Sequence, residues 1–234
     1  MPLVVLFSLL AVGCAHSAST YDVRAFGAAG DSQTLDTASF QKALDQCAGH
    51  GGGTVIVPAG KYLIGNIELK SNTTLRLERD ATLLTSLNPD DYPIMNVRWE
   101  GKWRAGHRAL IFADHASHIA ILGPGKIEGS PKLGRLRDPR APALIEPIDC
   151  DGVLLDGFST HYEHMWNIHP TYCSNVIARN LHERSENGSQ SDGIDVDSCN
   201  HVLIENCDID TGDDCIALKS GRSASSIGVG TVTM

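Results

Sequence analysis

The chain has 234 residues, 42% of them hydrophobic, with 23 glycines and a formal net charge of −9. That length fits one domain. The acidic balance argues against nucleic acid or an anionic membrane as partner, but not against an anionic sugar, because a local basic pocket can differ in sign from the whole surface.

Leu3 to Gly13 is an unbroken run of apolar and small residues, too short to span a bilayer and followed by polar ones. It reads as the core of a signal peptide, although no Lys or Arg precedes it. Ala11-Val12-Gly13-Cys14 is similar to a bacterial lipoprotein cleavage site, and cleavage after Ala15 or Ala18 is the simpler alternative. Residues 1–19 are therefore set outside the fold. The chain is expected to be exported: secreted, periplasmic or lipid-anchored through Cys14.

Thr37 to Cys47 is predicted to be a helix with Phe40, Ala43, Leu44 and Cys47 on one stripe, capped by Asp36 or Thr37. Gly49 to Gly53 ends it, and Thr54 to Pro58 begins the first strand. From there the sequence repeats. Cys150-Asp151-Gly152-Val153-Leu154-Leu155 resembles Cys173-Ser174-Asn175-Val176-Ile177-Ala178 and Cys199-Asn200-His201-Val202-Leu203-Ile204, with weaker copies at Ser71 and His115. A period of 20 to 30 residues marks a stacked repeat. Each copy is a short β-branched run followed by Gly, Asn or Asp, with no room for a helix. A parallel β-helix follows, with the amphipathic helix shielding its first coil. Residues 85–108 and 130–142 interrupt the repeat and read as insertions between coils.

Of the seven cysteines three recur at one position per coil, and no CxxC pair with metal-ligand spacing exists. Cys150, Cys173 and Cys199 are expected as one inward ladder of free thiols, with Cys207 and Cys215 on other strands and one or two bridges left open. No metal or other cofactor is expected.

Ser191-Asp192-Gly193-Ile194-Asp195 and Thr211-Gly212-Asp213-Asp214-Cys215 carry the chemistry. Asp192 and Asp213 are 21 residues apart, close to one coil, and His169 lies a further 23 residues upstream. Stacking predicts a column of His169, Asp192 and Asp213/Asp214 on one face, with Trp166 nearby. Carboxylates this close repel, so at least one pKa should rise and leave a proton for general-acid work, while the others activate water. That pairing is what glycoside hydrolysis needs, and the coil spacing admits both inverting and retaining geometry. Asp195, Asp197, Asp208 and Asp210 alternate along strands and are expected to face solvent. His161, His164 and His182 are expected to line a groove or the surface. Lys219 either contacts a sugar carboxylate or pairs with Asp214. Asn72-Thr73-Thr74 and Asn187-Gly188-Ser189 match the glycosylation pattern, and the lipoprotein-like signal argues against their use.

These blocks resemble glycoside hydrolase family 28, the polygalacturonase family, over nearly all of residues 21–221. The resemblance includes Phe26-Gly27-Ala28-Ala29-Gly30-Asp31, Gly51-Gly52-Gly53-Thr54-Val55, Val57-Pro58-Ala59-Gly60 and Trp166-Asn167-Ile168-His169-Pro170. Its specific blocks are Asp192-Gly193-Ile194-Asp195 and Gly212 to Gly221. It implies a right-handed parallel β-helix and an inverting hydrolase of pectic polysaccharide, monomeric, with Asp213 as general acid and Asp192 and Asp214 positioning water. His169, Gln190 and Lys219 would bind substrate. Gln190 stands where the family has Asn, so sugar contacts beside the scissile bond differ. The family's later Gly-His-Gly and Arg-x-Lys blocks are not in this sequence, which implies the N-terminal part of a longer catalytic domain, with little or no turnover from the 234-residue chain alone. Two other readings use the same residues: a calcium-dependent pectate lyase, for which Arg179 and Arg184 are the candidate arginines, and a non-catalytic glycan-binding β-helix.

Overall fold

The computed structural model describes residues 19–130, 132–133, 138–162, 165–185, 190–220 and 232–233. The expected signal segment with Cys14, His164 and the Asn187 sequon lie outside the described residues. The described chain is a right-handed parallel β-helix with one α-helix; the repeat predicts the parallel β-helix, and the family resemblance implies its hand.

Each coil passes through three ladders of strands. In the first, Ser117–Leu122, Asp151–Asp156, Ser174–Arg179 and Asn200–Glu205 lie side by side, with Val153, Val176 and Val202 in line. Alternation sends every second side chain inward, so Val153, Leu155, Val176, Ala178, Val202 and Ile204 are all core residues. The chain then turns sharply into the second ladder, where Ser159–His161, His182–Ser185 and Asp208–Thr211 pair in parallel. Asn180 and Asn206 make that turn in the left-handed region, at φ 54° and 52°, a conformation asparagine tolerates better than most residues. The third ladder holds Ile145–Ile148, a short stretch around Ile168 to Thr171, Ile194–Asp197 and Ile216–Lys219.

The helix spans Thr37–Gly49 and buries the expected stripe of Phe40, Ala43, Leu44 and Cys47. Phe40 meets Tyr62 of the first coils edge-on at 5.4 Å, so the helix covers the apolar end of the solenoid. Asp36 occupies the N-cap position, but its carboxylate accepts from the Ala29 and Gly30 amides instead of capping the helix. Thr37 Oγ1 accepts from Gly65 N. Beyond the helix, Gly52 has φ 115°, and a Cβ there would fall 2.3 Å from the Asn72 carbonyl oxygen. Only glycine allows that approach.

Cys47, Cys150, Cys173 and Cys199 are buried and free, Cys207 is partly buried and free, and Cys215 is exposed and free. The Cys173 amide donates to Cys199 Sγ at 3.3 Å, which places the expected cysteine ladder one coil apart.

Residues 85–108 form a covering element. Ile94–Trp99 and Lys102–His107 pair as an antiparallel hairpin. Its two turn residues, Glu100 and Gly101, both have positive φ (51° and 72°), which matches the twist of a tight hairpin. This hairpin explains one correction. Asp195 and Asp197 do alternate away from the core residues Ile194 and Val196, but they are 0% and 1% exposed rather than solvated. Arg98 of the hairpin lies over that face and bonds Asp197. Asp208 and Asp210, on the uncovered second ladder, are exposed as expected.

Glu183 sits inside the second ladder between Thr160 and Ile209. It is fully buried, and neither carboxyl oxygen has a hydrogen-bond partner among the described residues. Burial pushes its pKa up to about 8, from an unfolded value near 4.3. The native state therefore holds a proton that the unfolded chain releases, and stability falls as pH rises from about 4.3 to about 8. Glu183→Gln is expected to remove that slope and to raise stability at pH 8 by about 1–3 kcal/mol, read from urea midpoints at acid and alkaline pH.

Candidate active site

The site lies on the outer face of the third ladder. Strand register puts Ile145, Ile168, Ile194 and Ile216 in one line, all turned inward. One residue on, Glu146, His169, Asp195 and Ala217 align on the outer face. Two residues before Ile194 and Ile216, Asp192 and Asp214 are neighbours, with the Gly193 amide donating to the Asp214 carbonyl at 2.9 Å. Gly193 lets this happen, since a Cβ there would lie 2.4 Å from the Cys215 carbonyl oxygen.

Asp192 is 4% exposed, whereas Asp213 and Asp214 are open to solvent. The Asp214 amide donates to Asp213 Oδ1 at 3.1 Å, which orients the Asp213 carboxylate. Lys219 joins the buried acids. Its Nζ is 3.3 Å from Asp192 Oδ2, 2.7 Å from Asp195 Oδ1, and 3.9 Å from the centre of the Trp166 ring. The pairing expected for Lys219 was with Asp214; the ammonium pairs instead with Asp192 and Asp195.

Two acids thus face one ammonium, and charge balance leaves one of them to take a proton. Burial, then repulsion from Asp192, pushes Asp195 up to about 8. Burial also raises Asp192, while the Lys219 charge and a hydrogen bond with Asp195 pull it down, and Asp213 adds repulsion. Asp195, the deeper group, is therefore the more readily protonated of the two. Lys219 itself is held above its ordinary pKa: burial disfavours its charge, but the two acids outweigh that.

His169 stands elsewhere than expected. The 23-residue spacing suggested one column with Asp192, yet register brings Trp166, not His169, beside Asp192, and sets His169 level with Asp195. His169 is fully buried. Its Nδ1 is 2.8 Å from Glu146 Oε1, and Glu146 also takes Arg140 Nη2 at 2.8 Å. Burial lowers the His169 pKa against the opposing pull of Glu146, and on the other side of the ring Nε2 lies 3.3 Å from Thr171 Oγ1. Trp166 meets the His169 ring edge-on at 4.6 Å. His169 therefore fixes Trp166 and, through it, the floor under Lys219. Gln190 is partly exposed immediately before Ser191 and Asp192. His161 and His182 lie on the second ladder, beside Glu128 and Asp208 respectively.

Sequence reasoning missed Asp195, Glu146, Arg140, Arg98 and Asp197 as parts of this face. Only Asp195 left a signal: it shares a motif with Asp192.

The model for glycosyl hydrolases family 28 matches residues 47–233. The chain belongs to this family. A probable polygalacturonase of Vitis vinifera is 37% identical over 95% of this chain and 48% of its own length. The exopolygalacturonase of Thermotoga maritima superposes with a TM-score of 0.80 at 30% identity, over 89% of this chain and 56% of that structure. The family 28 exopolygalacturonase of Yersinia enterocolitica gives 0.82 at 26% identity, over 89% and 46%. The family 28 chain described here spans about half the length of the curated relatives it matches.

Proposed function

We propose that this family 28 protein hydrolyses glycosidic bonds of a pectic polysaccharide with inversion at the anomeric carbon. The observation that carries the reading is the buried Asp192–Lys219–Asp195 cluster with the exposed Asp213-Asp214 pair beside it. A covered carboxylate can hold and activate a water molecule, and an exposed one can protonate the departing oxygen. In this reading Asp213 is the acid, Asp192 and Asp214 hold the water, and Gln190 contacts the sugar next to the scissile bond. Lys219 keeps Asp192 ionised, and His169 acts as a positioning residue beneath Trp166. The relatives' names, polygalacturonase and exopolygalacturonase, support a galacturonan or a related acidic chain as substrate. Export and action as a monomer belong to the same reading.

The test is to supply polygalacturonate to the protein at its natural length and follow reducing ends, product anomer and unsaturated-uronide absorbance together. Reducing ends released first as the inverted anomer, without the absorbance band, support the hydrolase. An absorbance band abolished by EDTA would instead make it a lyase, and tight binding with no product would make it a glycan-binding protein.

Asp195 gives a further prediction. Asp195→Asn keeps a hydrogen-bond donor toward Asp192 but cannot ionise. Wild-type activity is expected to fall above about pH 8, as Asp195 loses its proton and competes for Lys219. The Asn variant should lose that alkaline limb. The kcat/KM–pH profile of the two proteins checks this, and superposable alkaline limbs would remove Asp195 from the mechanism.

A further inference from the structure

Trp103 is 46% exposed, while the other two tryptophans, Trp99 and Trp166, are 8% and 1% exposed. The strand of Trp103 is exposed from Lys102 through Ala105, so the indole stands on an open face of the hairpin. Trp99, Glu100, Lys102, Trp103 and Arg104 line one open cleft on the hairpin. Lys102 and Arg104 are both exposed there, which concentrates positive charge on a chain whose net charge is −9.

The hairpin is held rigidly. Arg98 forks onto Asp197 through Nε at 3.1 Å and Nη2 at 3.3 Å, in a pair whose side chains are 4% and 1% exposed. The Arg98 guanidinium also lies 5.5 Å and 5.2 Å from the ring centres of Trp103 and Tyr172, which stack on each other at 6.1 Å with an 18° tilt. Arg104 lies over Trp99 at 4.4 Å. These contacts fix the indole before any ligand arrives. The hairpin turn also reaches the catalytic face, where Glu100 and Gly101 line a groove with Asp214, Ala217 and Lys219.

We propose that the hairpin carries an accessory subsite for an acidic sugar unit of the polysaccharide chain whose cleavage the Asp192–Asp213–Asp214 site performs. The Trp103 ring offers an apolar face to the C–H side of a pyranose, and Lys102 and Arg104 receive its carboxylate. This rests on the hydrolase reading for its substrate class. It adds that the hairpin, rather than the coils alone, sets preference for long acidic chains over short or neutral ones.

Calorimetric titration tests it on the protein at its natural length in an Asp213→Asn background, with short and long oligogalacturonates and neutral galactan oligomers as probes. Trp103→Ala should weaken binding of the long acidic oligomers roughly tenfold and of the short ones much less. Lys102→Gln, at an exposed position outside the contacts that hold the hairpin, and Lys102→Gln/Arg104→Gln, which also gives up the Arg104–Trp99 contact, should both weaken the same oligomers and flatten the salt dependence of their binding. Neutral oligomers should gain nothing from either cation. Unchanged affinity and salt dependence in all three variants would overturn the subsite even if the wild type cleaves polygalacturonate. A wild type that cleaves nothing but binds acidic oligomers through Trp103 would keep the subsite and remove the hydrolase reading. No binding of any acidic oligomer would overturn both.

Discussion

Asp213→Asn is expected to lower kcat on polygalacturonate by roughly 10²–10⁴-fold, the range for loss of a general acid, with little change in substrate affinity. The side chain is exposed and oriented by the Asp214 amide, and asparagine is nearly isosteric, so fold and groove survive. In the proposed mechanism, what is lost is the proton for the leaving oxygen. A substrate with a good leaving group, such as an aryl galacturonide, needs that proton less, and the defect should shrink on it. An equal loss on both substrates would move the acid role away from Asp213. Asp192→Asn should behave differently: it removes the charge that Lys219 balances, and the deficit should persist with the activated substrate because water activation fails.

The second large effect concerns stability. Arg140 and Glu146 are both fully buried, and two contacts, at 3.0 Å and 2.8 Å, join Arg140 Nη2 to the two Glu146 oxygens. Burial would raise the Glu146 pKa, but the Arg140 charge and the His169 hydrogen bond outweigh it and leave the carboxyl below its ordinary value. A depressed folded pKa gives stability that is present above the unfolded value, near 4.3, and is lost as pH falls through the folded one. Arg140→Met is expected to cost about 3–5 kcal/mol at pH 7, because it strands a buried carboxylate. The penalty should shrink between neutral and acid pH, because the stranded Glu146 carboxyl can then take up a proton. Adding Glu146→Gln to Arg140→Met should recover much of the loss. Urea unfolding of the single and double variants at both pH values checks the sign. A penalty independent of pH would mean that Arg140 acts through packing alone. Trp166 rests on His169, which bonds Glu146, so the single variant should also weaken substrate binding before it unfolds.

The coil period was legible because a β-helix writes its tertiary contacts into a local rhythm. Each winding adds a β-branched run and a turn residue, and equivalent residues become neighbours. That was enough to place Asp192 beside the Asp213-Asp214 pair and to align Cys150, Cys173 and Cys199. It was not enough to place His169. Windings differ in length, and three residues of drift moved it from Asp192 to the level of Asp195. The period also says nothing about what covers a face. Asp195 and Asp197 alternate with core residues as exposed strand positions do, and nothing in their own neighbourhood marks them as buried.

From the sequence alone came the solenoid, its capping helix, the interruptions at 85–108 and 130–142, and the cluster of acids one winding apart. These follow from patterns repeated within a few tens of residues. The tertiary structure decided that a non-repeating hairpin folds over the third ladder and brings Arg98 to Asp197 across 99 residues of chain. It also decided that Lys219 serves Asp192 and Asp195 in place of Asp214. Such contacts depend on long-range packing and on the exclusion of water from one face. A charge under that cover must find a partner or a proton, and only the folded chain determines which.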